Sequence, residues 1–398
     1  MGYSRIASTP VTYIGWGSVE KLVEEVERYN AKIILIVADP VLATIGLLDK
    51  IISPLREKQY QFDLYTDLIP EPVLETGEKL VDFSRKKSYS LVIGIGGGSA
   101  LDMAKLAAVF SHNTGSLKDY LNLSATRKIQ QKGIPKILIP TTSGTGAEVT
   151  SIAVLALEHT KDVITHDYLI ADTAIVDPEL TVSVPPKITA ATGADALTHA
   201  VEAFISVNAN PVSDGLALQA IRLIGRSLEQ AVRNGNDKEA RINMAYGSYL
   251  AGLSFFNAGV GAVHALAYPL GGQFHIAHGD SNAVLIPYVM SYIRKSCSNK
   301  LPLVLEALGE KIQHLTDEEA SERCVEKLAS LMKDIGIPQK LGGFSIPESA
   351  AQSLAKDGIK QKRLLARCPM ALTEQDILQI YQSAFSGILT EAPERTFQ

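Results

Sequence analysis

The sequence has little cysteine and no cysteine motif. Cys297, Cys324 and Cys368 stand far apart, with no Cys-x-x-Cys and no paired spacing. A disulfide framework is excluded, and a reducing, cytoplasmic setting with inert thiols is expected. Long apolar runs are missing as well. A stretch such as Ser90 to Ile95 is too short to span a bilayer, so no membrane partner is expected. The opening Met1-Gly-Tyr-Ser-Arg-Ile-Ala-Ser8 carries no apolar core of a signal peptide, and the expectation is a chain without a secretory leader. Basic blocks are short: Arg85-Lys86-Lys87 is the longest, at the net charge of −5 and pI near 6.0. That is no footprint for nucleic acid, and the triplet reads as the end of a helix. Charged residues make up 20% of 398 and hydrophobic residues 46%, which excludes a disordered chain and allows a sizeable core in two domains or one large one.

What is present begins with alternating strand and helix signals. Lys32-Ile-Ile-Leu-Ile-Val37 is an aliphatic run suited to a strand covered on both faces. Ser18 to Arg28 before it reads as a helix, with Ser18 as its cap. Gln61–Tyr65, Ser90–Ile95, Lys136–Ile139 and Ala174–Asp177 read as further strands, and Val73–Lys87 and Leu101–Phe110 as helices. Strands separated by helices imply right-handed crossovers and a parallel sheet.

After Val184-Pro185-Pro186 the strand signals fade. Ile188–Val207, Ser213–Asn234, Lys238–Phe256, Ser281–Ser296, Glu318–Ile335 and Thr373–Ser383 have helical periodicity. The expected fold class is an α/β N-terminal domain with a parallel Rossmann-like sheet, residues 1–186, plus an all-helical C-terminal domain, residues 187–398. A cleft between two such halves is where a small-molecule site is expected.

Several motifs carry chemistry. Gly94-Ile-Gly96-Gly97-Gly98-Ser99 follows a strand and opens a helix. Its glycines admit a phosphate and the helix start attracts it, although the pattern is not a complete G-x-G-x-x-G and equally suits a tight turn. Asp39 ends the first long strand, where a carboxylate can accept from an adenosine ribose and repel a 2′-phosphate, favouring NAD over NADP. It also suits an ordinary Asp-Pro turn. Thr141-Thr142-Ser143-Gly144-Thr145-Gly146 places hydroxyls at another strand end, for phosphate or ribose or as a capped junction with Glu148 in the first turn.

The remaining signals are histidines. In Gly193-Ala-Asp195-Ala-Leu-Thr-His199-Ala-Val-Glu202, Asp195 and His199 lie four apart and share a helix face. Alone, the pair could be a solvated Asp and a satisfied His. His264, His275 and His278 then fall within one short segment, three of the eight histidines in the chain. His264 and His278 are too far apart for one helical turn, so a loop has to bring them together, and spacing does not separate His275 from His278. Three imidazoles and a carboxylate suit Fe(II), Zn(II), Mn(II) or Co(II).

Taken in order, these pieces resemble the iron-containing (group III) alcohol dehydrogenase family. They are Gly96-Gly97-Gly98-Ser99 with Asp102 and Lys105, Pro140 to Thr150, Asp177-Pro178-Glu179-Leu180-Thr181, Gly193 to Glu202, and His264 through His278-Gly279. The resemblance runs from about residue 10 to about 385. It implies the dehydroquinate synthase-like, iron-dependent alcohol dehydrogenase fold. It implies metal ligands Asp195, His199, His264 and His278, which chooses His278 over His275. It also implies NAD (NADP less so) held by Asp39, Gly96, Gly97, Gly98, Ser99, Asp102, Thr141, Thr142 and Thr145, and a homodimer or larger homo-oligomer. Fe(II) is the implied ion, with Zn(II) second.

The chain departs from that pattern in two places. Tyr268 stands where most close members carry a histidine near the nicotinamide, and is the candidate for proton transfer; Glu71 stands where many have asparagine in a Pro-Asn-Pro. The expected activity is metal-dependent, NAD-linked, reversible hydride transfer between a small-molecule alcohol and its aldehyde or ketone. The rivals are a zinc-dependent, glycerol-like polyol dehydrogenase, a dehydroquinate-synthase-like lyase, for which Gly271-Gly272-Gln273 offers no basic residues, and a non-enzymatic metal- or NAD-binding sensor.

Overall fold

A computed structural model describes residues 3–158 and 160–393. Residues 1–2 and 394–398, at the outer ends of the two expected domains, lie outside it. The chain divides into two compact units: Ala7–Val184, and the part from Pro185 onward together with the segment ending at Ile6.

The first unit holds β1 (Val11–Ile14), α1 (Leu22–Arg28), β2 (Ile33–Ala38), α2 (Pro40–Thr44), α3 (Leu47–Glu57) and β3 (Gln61–Tyr65). It continues through α4 (Leu74–Ser84), β4 (Leu91–Gly96), α5 (Gly98–Phe110), β5 (Lys136–Pro140), β6 (Ile152–Ala156), β7 (Lys161–Thr165) and β8 (Thr173–Val176). Six strands form one parallel sheet in the order β1-β8-β5-β4-β2-β3. Alternation along β2 feeds both faces. Ile34, Ile36 and Ala38 join the core of α1 and α3, with Leu22, Val26 and Ile52. Leu35 and Val37 join the core of α4 and α5, with Leu80, Leu101 and Phe110. This two-sided burial is why β2 reads as an unbroken aliphatic run.

The five expected strands are present within a residue or two. Three others carried weaker signals. β1 is four half-buried residues at the sheet edge. β6 and β7 form an antiparallel hairpin of their own, and its buried Lys161 and Asp162 hide the apolar alternation. Ser18 does not cap a helix: its hydroxyl donates to the Val176 carbonyl at 3.1 Å, and the turn before α1 starts from Gly17. Arg85 sits at the end of α4, and its guanidinium serves the neighbouring helix end, donating to the carbonyls of Phe110 and Asn113.

The chain order locates a binding crevice in this unit. From β2 the chain steps outward to β3, then returns across the sheet to β4 on the other side of β2. The reversal leaves a crevice at the carboxyl ends of β2 and β4, the usual ligand position in open parallel sheets. Asp39 follows β2 and the Gly96–Ser99 loop ends β4.

The second unit is helical. It contains α6 (Pro186–Ile205), α7 (Pro211–Arg233), α8 (Lys238–Ala258), α9 (Ala262–Phe274), α10 (His278–Ile293), α11 (Leu301–Ala307), α12 (Asp317–Asp334), α13 (Ala351–Gly358), α14 (Lys362–Leu365) and α15 (Glu374–Ser386). Helices α6, α7 and α8 pack as neighbours, and α6 and α9 flank α10. After an exposed first turn with Lys187, nearly all of α6 from Thr189 to Ile205 is buried, as an Ala-rich helix permits. Helix α9 carried no clear helical signal because Gly271, Gly272 and Pro269 interrupt it. Among the described residues no single helix is long and apolar enough to cross a membrane.

Candidate metal centre and dinucleotide cradle

Three helices of the second unit converge on one point. Helix α6 contributes Asp195 and His199 four residues apart, α9 contributes His264, and α10 begins with His278. Their donor atoms all lie within 4.8 Å of one another. Asp195 Oδ1 is 3.8 Å from His199 Nε2 and 3.7 Å from both His264 Nε2 and His278 Nε2. A tetrahedral ion with bonds near 2.1 Å spaces its ligands about 3.4 Å apart, and the distances from Asp195 to the three imidazoles lie within a few tenths of an ångström of that spacing. The donor types agree: one carboxylate and three imidazoles suit a borderline ion. His275, the other candidate, is exposed in the left-handed turn that ends α9 and lies outside the cluster.

Close packing makes the convergence possible. A Cβ on Gly279 would lie 2.3 Å from the Ala191 carbonyl oxygen, so only glycine lets the start of α10 close on α6. That is the physical content of the His278-Gly279 pair. His199 is held flat between rings, stacked on Phe255 at 4.2 Å and on His264 at 4.6 Å.

His264 is oriented from behind. Its Nδ1 lies 2.6 Å from Glu202 Oε2, and Glu202 also accepts the Val263 N–H at 2.7 Å. With the proton on Nδ1 facing a carboxylate, the Nε2 lone pair points at the other donors. Glu202 is 2% exposed, which makes it an orienting group for His264 and no solvated charge. Its position, three residues after His199 on α6, is visible in the sequence, but nothing there pairs it with His264. The electrostatics are tightly coupled. Burial works against charge on His264, yet Asp195 and Glu202 bring it up to about 9. Burial also opposes charge on Asp195, but the imidazoles of His199, His278 and His264 outweigh it and hold the carboxyl far below its usual range. Tyr268 is buried one turn beyond His264 on α9, with its ring 5.9 Å from the His278 ring.

The crevice of the first unit is lined as a phosphate site needs. Gly97 is the cap of α5 and Gly98 its first residue. A Cβ on Gly98 would come within 2.7 Å of Thr145 Oγ1 and Cγ2, and one on Gly96 within 3.0 Å of Asp39 Cβ. Thr141 N–H donates to the Gly96 carbonyl at 3.0 Å. The loops at 96–99 and 141–145 and Asp39 are therefore one surface, smooth because its centre has no side chains, with a helix start facing it. The residues fit a dinucleotide phosphate. Asp39 caps α2 through the Val41 N–H, which leaves its other oxygen available. Asp102 differs from the rest of the expected set. Its Oδ1 takes Lys105 Nζ at 3.0 Å and its Oδ2 the Val154 N–H at 3.0 Å, all buried. Glu148 follows the second loop; burial pushes its carboxyl up to about 7. Glu71 sits in left-handed backbone at φ 51, where asparagine rests at less cost, and is held by Lys161 Nζ at 2.8 Å.

The cradle predicts its own test. Gly98→Ala puts a methyl group within 2.7 Å of the Thr145 side chain and within 3.0 Å of its Cβ, so Thr145 has to shift. The KM for the dinucleotide should rise at least about tenfold while metal content stays at the wild-type level. An unchanged KM would remove the loop from the cofactor site.

Comparison with known proteins covers both units of the chain. Residues 9–178 match the family described as iron-containing alcohol dehydrogenase, and residues 189–385 the C-terminal part of the Fe-containing alcohol dehydrogenase family. Long-chain-alcohol dehydrogenase 1 of Geobacillus thermodenitrificans (strain NG80-2) is 63% identical over 391 residues, covering 98% of this chain and 99% of its own. The NAD-dependent methanol dehydrogenase of Bacillus methanolicus is 34% identical, covering 94% of this chain and 98% of its own. The crystal structure of a 1,3-propanediol oxidoreductase superposes with a TM-score of 0.92 at 34% identity, covering 96% of this chain and all of that one. The chain belongs to the iron-containing alcohol dehydrogenase family.

Proposed function

We propose that the chain catalyses reversible hydride transfer between an alcohol and NAD, giving the aldehyde or ketone, NADH and a proton. The observation that carries this reading is the four-donor cluster of Asp195, His199, His264 and His278. Family membership makes the protein an oxidoreductase acting on CH–OH groups, and the family matched is the iron-containing one, which favours Fe(II) over a zinc-dependent polyol enzyme. An ion held by these four residues supplies Lewis-acid polarisation of the alcohol oxygen, and NAD supplies the hydride acceptor.

This chain's residues do the rest. Glu202 keeps His264 turned to the centre. The Tyr268 hydroxyl is proposed to hold or relay the alcohol proton, at the position where the family resemblance places a histidine. Asp39 accepts from the adenosine ribose, and a carboxylate there disfavours a 2′-phosphate. Gly96, Gly97, Gly98 and Ser99 receive the pyrophosphate at the start of α5, and Thr141, Thr142 and Thr145 offer hydroxyls beside it. Asp102 belongs to this set through α5, which it pins to β6, and not by a direct bond. The relative at 63% identity is named for long-chain alcohols, so that class heads the substrate panel. A cytoplasmic homodimer or larger homo-oligomer completes the proposal.

The test is NADH consumption, under anaerobic conditions, with aldehydes of increasing chain length and with Fe(II), Zn(II), Mn(II) and Co(II) in turn. The proposal expects turnover that depends on the ion and prefers NADH to NADPH. No turnover with any aldehyde or ion would leave a metal- or NAD-binding sensor.

A further inference from the structure

One polar side chain reaches the centre without being one of its four donors. Asn282 lies four residues after His278 on α10, so the two share a helix face, as Asp195 and His199 do on α6. It is fully buried. Its Nδ2 is 2.7 Å from Asp195 Oδ1, 3.2 Å from His264 Nε2 and 3.3 Å from His278 Nε2. Its Oδ1 is buried with no hydrogen-bond partner. The opposite amide orientation would set an oxygen against the Asp195 carboxylate at the shortest of these distances, so the donor side faces in.

A buried amide with an unsatisfied oxygen costs free energy that a leucine of similar size would not. Packing alone does not account for asparagine here. Of the three contacts, two fall on imidazole nitrogens whose lone pairs a metal ion takes. The third falls on Asp195, the one anionic donor of the four, and carboxylates have lone pairs to spare. That bond also ties α10 to α6 across the centre, setting the rotation of the Asp195 carboxyl group.

We propose that Asn282 is a positioning residue of the metal centre. Its amide N–H holds the Asp195 carboxylate in the orientation that accepts the ion, and it acts through Asp195 without touching substrate. Hydrogen-bonded carboxylate ligands are a general feature of metal sites, and loss of such a partner weakens metal binding about 10–100-fold. The proposal rests on the metal centre of the proposed function.

The test compares wild type with Asn282→Leu, using Zn(II) as the probe ion in competition with a chromogenic chelator, and melting curves with and without Zn(II). The expected result is a Kd for Zn(II) raised about 10–100-fold. The metal-free melting temperature should be no lower than wild type, and the gain on adding Zn(II) smaller. A Kd within twofold of wild type overturns the proposal, whether or not the melting temperature falls. An equal fall with and without the ion marks a packing role only. If Asn282→Leu does not fold, Asn282→Ala is measured in the same way with the same two outcomes. Wild-type protein that binds no Zn(II) would fail the centre itself, before any variant is compared.

Discussion

His264→Ala is expected to lose metal and activity together. The substitution removes one of four donor atoms and does so from the middle of the cluster, since His264 touches Asp195, stacks on His199 and meets His278 edge-on. The remaining three donors leave the ion open on one side. A Lewis acid contributes several kcal/mol to the transition state, so its loss should lower turnover on the order of 1,000-fold or more. Metal content per folded chain should fall to a small fraction of wild type. The variant also leaves Glu202 buried without its imidazole partner, which costs about 3 kcal/mol of stability, so circular dichroism belongs beside the metal analysis. A folded variant that keeps both metal and turnover would remove His264 from the ligand set.

Glu202 gives the second large effect, and it separates orientation from ligation. Glu202→Ala removes the acceptor of both the His264 Nδ1 proton and the Val263 N–H. Both donors are then buried without an acceptor, and stability should drop by about 3 kcal/mol. Glu202→Gln keeps the volume and an acceptor oxygen but removes the charge. Its metal affinity should fall about 10–100-fold, the effect of disturbing a carboxylate behind a ligating histidine, with a smaller loss of stability. Chelator competition and denaturant unfolding of the two variants check this. If Glu202→Gln binds metal as wild type does, the charge behind His264 has no part in tuning the centre.

How much of this was legible beforehand differs from element to element. Strands buried on both faces announce themselves: β2 and β4 read as aliphatic runs because both faces are covered. The edge strand β1 is half-buried and four residues long, so its pattern is weak. The β6–β7 hairpin carries a buried Lys161 and Asp162, and polar residues inside a strand erase the alternation that marks one. At the centre, Asp195 and His199 were visible as a pair because helix periodicity brings residues four apart together. Their partnership with His264 and His278 was not visible from spacing, since α7, α8 and their connecting loops separate them. The choice of His278 over His275 came from family resemblance, and the geometry supplies its reason: His278 opens α10 where Gly279 lets that helix close on α6, while His275 turns outward.

Asn282 shows the limit from the other side. Its spacing from His278 is the same four residues that singled out Asp195 and His199. An asparagine is not a signal of metal chemistry, however, and only its distance to Asp195 makes it one. Asp102 is the converse case. Its place after the glycine loop suggested the cofactor, but both its oxygens are engaged by Lys105 and Val154 inside the fold.

The central claim is that the four-donor cluster holds the ion on which hydride transfer depends. Its most direct test is metal analysis of anaerobically purified wild-type protein, followed by chelator stripping and add-back of Fe(II) while NADH turnover is followed. The account predicts one divalent ion per chain, matching the single cluster found among the described residues. It predicts turnover that falls to background on stripping and returns in proportion to the ion restored. Full turnover by protein stripped of every divalent ion would contradict it.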